Sequence, residues 1–262
     1  MGKYIALIKI EFKNSFAYRL STVASIVVGI IQIFVYYFIW SNVYVEKEVL
    51  NGYSFKQITT YVILSNVLYK YFEFGITLKI SDMIKSGEIS LRMTRPIYFI
   101  KSLFFESIGE LASSSITLIL PVFVVSVCFL PFVFPCNLAS MLLFLVSILI
   151  GIGLSVYVDI AFGLLAFWTE NGWGLRVIRQ ALIKLFSGAI VPMAFLPKWF
   201  ANICKLLPFK YLIDTPINVY IYGVNRAAVI SIIIQTIWLM VFVIFVNVLF
   251  KTIAKQLQVN GG

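Results

Sequence analysis

Long apolar segments alternate with short polar ones along nearly the whole chain of 262 residues. No charged residue lies between Thr22 and Trp40, and none lies between Ala227 and Phe250. Each of these runs is long enough to cross about 30 Å of hydrocarbon as an α-helix. Because the bilayer interior offers no water to the backbone, N–H and C=O groups must pair within the segment, which favours helices. The pattern predicts an all-α polytopic membrane protein in which residues 1–262 form a single transmembrane domain.

We expect six transmembrane helices, separated by short polar breaks. Their expected bounds are about 21–41, 57–78, 103–129, 139–168 and 173–195, with the sixth around the uncharged run 227–250. The second contains Lys70 and Glu73, and the fifth carries several basic residues in its first half. Ionisable residues inside a span are expensive in lipid, so these positions are candidates for function.

The residues before the first span have the pattern of an amphipathic helix, which we place at 1–20. Tyr4, Ile5, Ile8, Phe12 and Phe16 share one side of a helical wheel, whereas Lys3, Lys9 and Lys13 share the other. Such a helix lies in the membrane interface with its apolar side toward the lipid. The alternative is a frayed start to the first span.

Composition and charge agree with a membrane protein and argue against other classes. Hydrophobic residues make up 61% of the chain and charged residues 12%, with a formal net charge of +10. The basic residues flank apolar spans instead of forming one patch, so we expect contacts with anionic lipid headgroups and no nucleic acid partner. In the six-span arrangement, most of the basic residues lie on the same side of the membrane as the amino terminus. The sequence therefore predicts a multi-pass protein of the cell membrane with both termini in the cytoplasm.

Residue types that commonly bind metals are scarce. The chain has no histidine, and its three cysteines, Cys128, Cys136 and Cys204, lack the paired spacing of a metal site. We expect no metal and no cofactor bound by this chain. A bridge between Cys136 and Cys204 is open if both face the outside. The first apolar run is too long for a cleavable signal peptide and is expected to remain as an anchor.

The loop at 79–102, between the second and third spans, is the largest cytoplasmic loop that we expect. Gly87 can take a positive φ angle and end one helix, and Glu88 can begin a short new one, where a carboxylate favours the helix dipole. Pro96 disfavours helical geometry at Arg95 and ends that helix. A short rigid helix held away from the membrane suits a soluble partner that pushes on it. The alternative is a solvated connector.

A proline-punctuated region at 192–226 precedes the last span. Pro192 interrupts the fifth span near its outer end, and Pro197 suits the first turn of a new helix. The segment 198–207 is too apolar for a free loop and too short to cross the bilayer, so we expect outer re-entrant helices. Non-helical backbone at that depth must be covered by protein or line a wet cavity. The candidate outer gate comprises Gly188, Pro192, Pro197, Trp199, Phe200, Pro208 and Phe209.

Charged groups inside the spans are the candidates for a conduit or for buried ion pairs. They are Lys70, Glu73, Glu106, Glu110, Asp159, Arg176 and Lys184. Lys70 and Glu73, three residues apart, form either a structural pair on one helix face or part of a conduit.

The other buried charges have equally plain interpretations. Glu106 and Glu110 share a helix face and can form ion pairs with Lys101 or with the arginines of the fifth span. Arg176, Gln180 and Lys184 form one polar stripe, which we expect to border the inward cavity or a soluble partner. Extension of the side chains to the interface explains Arg176 and Arg179 equally well.

Three motifs in this order resemble the permease subunits of ABC-2 type ATP-binding-cassette exporters. These are the amphipathic start, Ile84-Lys-Ser-Gly-Glu-Ile-Ser with Arg95-Pro96-Ile97, and Ser187-Gly-x-x-x-Pro192 running through Leu196-Pro197 to Leu207-Pro208-Phe209. The resemblance covers the full length and is closest to the six-span bacterial branch for multidrug or antibiotic export.

The resemblance implies a coupling helix at 80–96 and an outer gate at 188–216. The coupling residues would be Ile84, Ser86, Gly87, Glu88, Arg92, Arg95 and Pro96. The sequence has no G-x-x-x-x-G-K-[ST] phosphate loop, so ATP and Mg²⁺ would be bound by separate ATPase subunits. Six spans are few for a closed conduit, which implies a second permease, identical or related.

Two other functional classes compete with an ATP-driven exporter. An ion-coupled secondary transporter would use Lys70, Glu73 and Asp159 as a relay, but such carriers commonly contain internal repeats and we find none here. An intramembrane enzyme lacks support, since the chain has neither histidine nor a G-x-S-x-G motif. The cargo stays open among drug, peptide, polysaccharide precursor and lipid, because all of them use similarly apolar walls.

Overall fold

The computed structural model describes residues 2–14, 19–94, 98–135, 137–169 and 171–260, and within these ranges the chain is predominantly helical. The helices are α1 Gly2–Asn14, α2 Arg19–Val43, α3 Phe55–Tyr71, α4 Ile76–Lys85, α5 Glu88–Thr94, α6 Phe99–Ser114, α7 Leu120–Phe129, α8 Leu138–Thr169, α9 Gly172–Phe186, α10 Lys198–Lys205, α11 Lys210–Tyr222 and α12 Arg226–Asn260. Two short strands, β1 Val49–Leu50 and β2 Tyr53–Ser54, form an antiparallel hairpin between α2 and α3.

Four helical segments among the described residues are long and apolar enough to cross a membrane. They are Leu20–Val43, Phe99–Phe129, Leu138–Thr169 and Arg226–Ala254. Many large apolar side chains of the first and last segments are exposed; Val28, Phe38 and Ile244, for example, are about 60% exposed. Lipid is the solvent that such a surface requires. The structure confirms the first, third, fourth and sixth apolar runs as helices of membrane length, whereas the count of six spans stays a prediction.

The second apolar segment is not the continuous helix that we expected at 57–78. Helix α3 ends at Tyr71 and α4 begins at Ile76, so residues 72–75 form a break. The carbonyl of Phe72 accepts a hydrogen bond from Ser155 Oγ at 2.9 Å and one from Arg179 Nη1 at 3.4 Å. Because neighbouring helices satisfy the backbone at the break, it is tolerated inside the protein.

The fifth segment is also shorter than expected, and Pro192 does not cause its end. Helix α9 ends at Phe186, and Gly188 follows with a φ angle of 83°. The carbonyl of Ser187 then accepts a hydrogen bond from the N–H of Asp214, at 3.1 Å, on the distant helix α11. The turn at Gly188 therefore occurs four residues before the proline.

The third apolar segment begins at Phe99 and continues to Phe129 through a π-helical stretch, Ser115–Ile119. Pro121 lies in the first turn of α7, where it has no N–H to donate. A wider π turn immediately before a proline accommodates the missing hydrogen bond without breaking the helix. Residues 99–129 can therefore act as one 31-residue rod.

Helix α8 forms the centre of the fold, with α4, α9, α11 and α12 packed around it. Its glycines permit close approach: a Cβ atom added to Gly163 would lie 2.6 Å from Ile80 Cδ1 of α4. Such small residues let helix backbones pack tightly within lipid, where hydrophobic burial does not drive helix association. The broken second segment is thereby held against the centre of the molecule.

Helix α1 lies against α6. The rings of Tyr4 and Phe105 are 4.6 Å apart, and a Cβ atom added to Gly109 would lie 2.5 Å from the carbonyl oxygen of Ile8. The structure confirms a helix in this part of the sequence, and it shows that part of the apolar side contacts protein. Phe16, assigned to the same side, lies outside the described residues.

Candidate coupling and gate sites

Two groups of elements contain the residues that the sequence assigned to coupling and to the gate. We call the side formed by α1, α5 and the start of α6 the amino-terminal face. We call the side formed by β1, β2, α10 and α11 the hairpin face. The coupling candidates that the structure describes lie in or next to α5, and the gate candidates lie in or next to α10 and α11.

The loop after α4 has the geometry that its sequence predicts. Gly87 has a φ angle of 74°, α4 ends at Lys85, and α5 begins at Glu88. The Nε atom of Arg92 donates to Glu88 Oε1 at 2.9 Å, one turn apart on α5. Ile84 is half-buried and Ser86 is exposed. Two further coupling candidates, Arg95 and Pro96, lie outside the described residues.

A network of charges joins this loop to the rest of the amino-terminal face. Glu106 of α6 is 6% exposed and is contacted by Lys79 Nζ at 2.7 Å and by Arg92 Nη1 at 3.0 Å. Lys79 also contacts Glu11 of α1 at 2.6 Å, and Arg92 contacts Glu88. We call these five side chains the Glu106 network. It ties α1, α4, α5 and α6 together through one buried carboxylate.

The surroundings of Lys79 stabilise its charged ammonium form. Burial by itself lowers the pKa of its ammonium, but hydrogen bonds and the negative charges of Glu106 and Glu11 outweigh that effect and raise the pKa overall. Our expectation that Glu106 forms an ion pair with Lys101 or with the arginines of the fifth span is wrong. Its partners come from the loop helices instead.

The second acid of this pair, Glu110, lies one turn further along α6 and is half-buried. Among the described residues it makes no ion pair within 4.0 Å, in contrast to Glu106. The two acids that share a helix face in the sequence therefore have different environments.

A second buried cluster holds the break between α3 and α4. Asp159 of α8 is 0% exposed, and its carboxylate lies 3.2 Å from Arg179 Nε of α9. The same carboxylate accepts hydrogen bonds from the N–H groups of Ile76 and Thr77 and from the Thr77 hydroxyl. Arg179 in turn donates to the carbonyls of Phe72 and Phe74. Asp159 thus caps the first turn of α4, and Arg179 satisfies the last carbonyls of the segment before it.

Arg179 is a residue that the sequence interpretation placed wrongly. We considered extension to the interface as an explanation for both Arg176 and Arg179, but Arg179 is 1% exposed. The available signal was Asp159 itself, because a lone carboxylate inside an apolar span requires a buried cation or several donors.

Lys70, Glu73, Arg176, Gln180 and Lys184 meet beside the same break. Lys70 Nζ contacts Glu73 Oε2 at 2.9 Å, although Glu73 lies beyond the end of α3 and not on its face. Gln180 Nε2 donates to Glu73 at 2.8 Å, Arg176 lies 3.8 Å away, and Lys184 Nζ lies 5.3 Å from the ring centre of Tyr69. The polar stripe of α9 therefore faces the break.

The proposed gate residues form the turns and short helices of the hairpin face. Pro197 directly precedes α10, as its position predicted, and Phe200 of α10 stacks on Phe186 at 5.5 Å between ring centres. Phe209 also packs on Phe186, at 6.4 Å, whereas Trp199 is 67% exposed. Pro192 precedes a 3-10 turn, Met193–Phe195, and Pro208 is buried next to Phe209. Cys204 is a buried free thiol, and Cys136 lies outside the described residues.

Asp214 is the residue of this face that the sequence interpretation missed. It is 3% exposed and accepts hydrogen bonds from Tyr61 Oη at 3.2 Å and from the N–H of Met193 at 3.4 Å. Tyr61 also donates to the carbonyl of Gly188 at 3.0 Å. A carboxylate two residues before Pro216, within the apolar run of α11, was a signal of the same kind as Asp159.

Replacing Gly188 with alanine will destabilise the fold by about 1–3 kcal/mol, because alanine rarely adopts a positive φ angle. A Cβ atom at this position would also lie 2.6 Å from Tyr61 Oη, next to Asp214. Thermal unfolding of the purified protein in detergent measures the effect. Gly29→Ala is the control, since its Cβ atom would meet only Val122, at 3.4 Å or more. Equal melting temperatures for the two variants would contradict this role of Gly188.

Helices of membrane length, broken segments held by buried ion pairs, and a charged loop helix tied to one of the long helices define a polytopic α-helical membrane protein. The chain belongs to the ABC-2 transporter family: the model described as "ABC-2 family transporter protein" matches residues 30–261. No curated protein matches the chain in the comparison. Membership of this family makes the chain a membrane permease subunit of a transporter.

Proposed function

We propose that this permease is the membrane-spanning subunit of an ATP-driven exporter of the multidrug or antibiotic export branch. Separate ATPase subunits, which carry ATP and Mg²⁺, dock on residues 80–96 at the amino-terminal face. The observation that carries this proposal is the Glu106 network, because it joins the loop helices α4 and α5 to the long segment 99–129. ABC-2 family membership supports ATPase partners in general.

The network suggests how movement of an ATPase reaches the membrane. A force on α5 passes through Arg92 to Glu106, and a force on α4 passes through Lys79 to the same carboxylate. Glu106 lies near the start of a rod that continues to Phe129. ATP binding would in this way shift the permease between inward and outward openings.

In this proposal two permeases, as identical copies or with a related chain, enclose the conduit between them. The amino-terminal face and both termini lie in the cytoplasm, and the hairpin face lies outside the bacterial cell membrane. The residues assigned to the outer gate, from Gly188 to Phe209, close the exit. Basic residues at the borders contact anionic lipid headgroups.

The alternative of an ion-coupled carrier receives less support from the geometry. Its relay would require Asp159 to exchange ions, but Asp159 is fully buried and holds Arg179 together with three donors of α4. Lys70 and Glu73 are also paired with each other. These contacts resemble supports of a helix break more than a path for protons.

Purification of the tagged permease from its native membrane in mild detergent will recover an ATPase that carries a phosphate loop. Gly87→Ala will reduce the recovered ATPase severalfold per permease, since alanine at a φ angle of 74° disturbs the start of α5. Mass spectrometry identifies the ATPase, and quantitative blotting measures the ratio.

Gly75→Ala is the matched control for this experiment. An added Cβ atom meets nothing within 4 Å at either glycine. Of these two residues, Gly87 has a positive φ angle and Gly75 a negative one. Repeated absence of an ATPase from well-folded wild-type permease would contradict the proposal. Transport that depends on an ion gradient and is lost in Glu73→Gln would then support the carrier.

A further inference from the structure

A cavity of about 330 Å³ lies on the hairpin face, between the β hairpin, the 3-10 turn, α11 and the start of α12. Its volume is at the lower end of the range of small-ligand pockets. The walls come from one copy of the chain, so the cavity exists without a second permease. Its lining includes Lys210, Asp214 and three asparagines alongside apolar side chains.

The floor of the cavity is a fixed pair of opposite charges. Asp214 Oδ2 lies 3.9 Å from Lys210 Nζ, one turn away on α11. This separation exceeds a hydrogen bond of about 2.8 Å, so a ligand hydroxyl can lie within bonding distance of both atoms. Tyr61 and the N–H of Met193 hold the other carboxylate oxygen, which fixes its direction.

Two tyrosines and an amide form the adjacent wall. Tyr53 Oη donates to Asn218 Oδ1 at 2.5 Å, and Tyr222 Oη donates to the carbonyl of Gly52 at 3.0 Å. The rings of Tyr53 and Tyr222 meet edge to face, with centres 5.3 Å apart. Tyr53 is 2% exposed and Tyr222 is 43% exposed, so the outer ring presents its surface at the mouth.

We propose that this cavity binds a neutral polyhydroxylated ligand, such as one or two sugar units. Lys210 and Asp214 balance each other, which disfavours a ligand with net charge of either sign. The lining offers donors and acceptors together, and sugar hydroxyls both donate and accept. The exposed ring of Tyr222 gives an apolar surface for the C–H face of a sugar.

The proposal is tested on purified permease in nanodiscs, without ATP and without ATPase. Saturation-transfer NMR titrations compare maltose, the zwitterion glycylglycine and the cation choline. Maltose will bind more tightly than the other two probes. Tyr222→Ala will weaken maltose binding about five- to tenfold, because it removes the apolar surface.

Tyr98→Ala is the matched control, since Tyr98 is 40% exposed, donates a hydrogen bond to Asn247 as Tyr222 does to Gly52, and lies on the amino-terminal face. If Tyr222→Ala fails to fold, Lys210→Met removes the donor at the floor and is expected to weaken binding as well. Tighter binding of glycylglycine or choline, absence of maltose binding, or unchanged binding in a folded Tyr222 or Lys210 variant would overturn the proposal. Because the assay uses no ATPase, these outcomes leave the proposed ATP-driven function unaffected.

Discussion

Replacing Asp159 with alanine will destabilise the permease by about 3–5 kcal/mol, the range measured when one partner of a buried ion pair is removed. Arg179 would remain 1% exposed with its guanidinium charge uncompensated. Helix α4 would also lose the carboxylate that accepts from the N–H groups of Ile76 and Thr77. The expected result is a large loss of monodisperse protein after heating in detergent, followed by size-exclusion chromatography.

A double variant separates the effect of leaving one buried charge unpaired from the effect of removing both side chains. In Asp159→Leu with Arg179→Met no unpaired charge is left at this site, so part of the lost stability will return. The part that does not return reflects the N–H groups of Ile76 and Thr77 and the carbonyl of Phe74, which lose their side-chain partners. Asp82→Ala, which removes an exposed aspartate of α4, is the control and will leave stability nearly unchanged. An Asp159→Ala variant as stable as Asp82→Ala would show that the pair does not hold the break.

The long helices could be predicted from the sequence because their pattern is local. A run such as 227–250, without any charge, must satisfy its own backbone in lipid, and only a helix does so. The turn at Gly87 was predictable for the same kind of reason. Glycine tolerates positive φ angles, and a glutamate directly after it favours the start of a helix.

The breaks in the second and fifth segments could not be placed from the sequence, because distant residues determine them. The break at residues 72–75 depends on Ser155 of α8 and Arg179 of α9, which satisfy the carbonyl of Phe72 from more than eighty positions away. Likewise, α9 ends where Ser187 meets Asp214. Both breaks lie inside apolar segments, so hydropathy alone predicts a helix that continues through them.

The sequence interpretation also did not identify the two partners of Glu106, which are Lys79 and Arg92. Spacing along α6 placed Glu106 and Glu110 together, but the tertiary fold gives only Glu106 two cations from the loop helices. The candidate coupling loop was thus recognised from its local turn and charges, whereas its connection to the membrane helices depends on contacts across the chain.

Glu106→Gln will reduce ATP-driven transport about tenfold while ATP hydrolysis by the partner continues. Coupling free energies between sites are commonly on the order of 1–3 kcal/mol, and such a loss falls within that range. The variant keeps the shape of the side chain but removes the charge that Lys79 and Arg92 share. Lys79 still has Glu11 and Arg92 still has Glu88, so α4 and α5 remain formed while their link to α6 weakens. Transport and hydrolysis are measured together in proteoliposomes that contain the permease and its ATPase.

Glu110→Gln provides the comparison that decides whether the position or the charge matters. Glu110 lies one turn further along the same helix, and among the described residues it makes no ion pair within 4.0 Å. Its variant will therefore transport at nearly the wild-type rate. A charge exchange, Glu106→Lys with Lys79→Glu, should restore part of the coupling, since the two side chains can pair again in the reverse sense. Equal uncoupling by Glu110→Gln, or normal transport by Glu106→Gln, would show that movement of the ATPase reaches the membrane by another route.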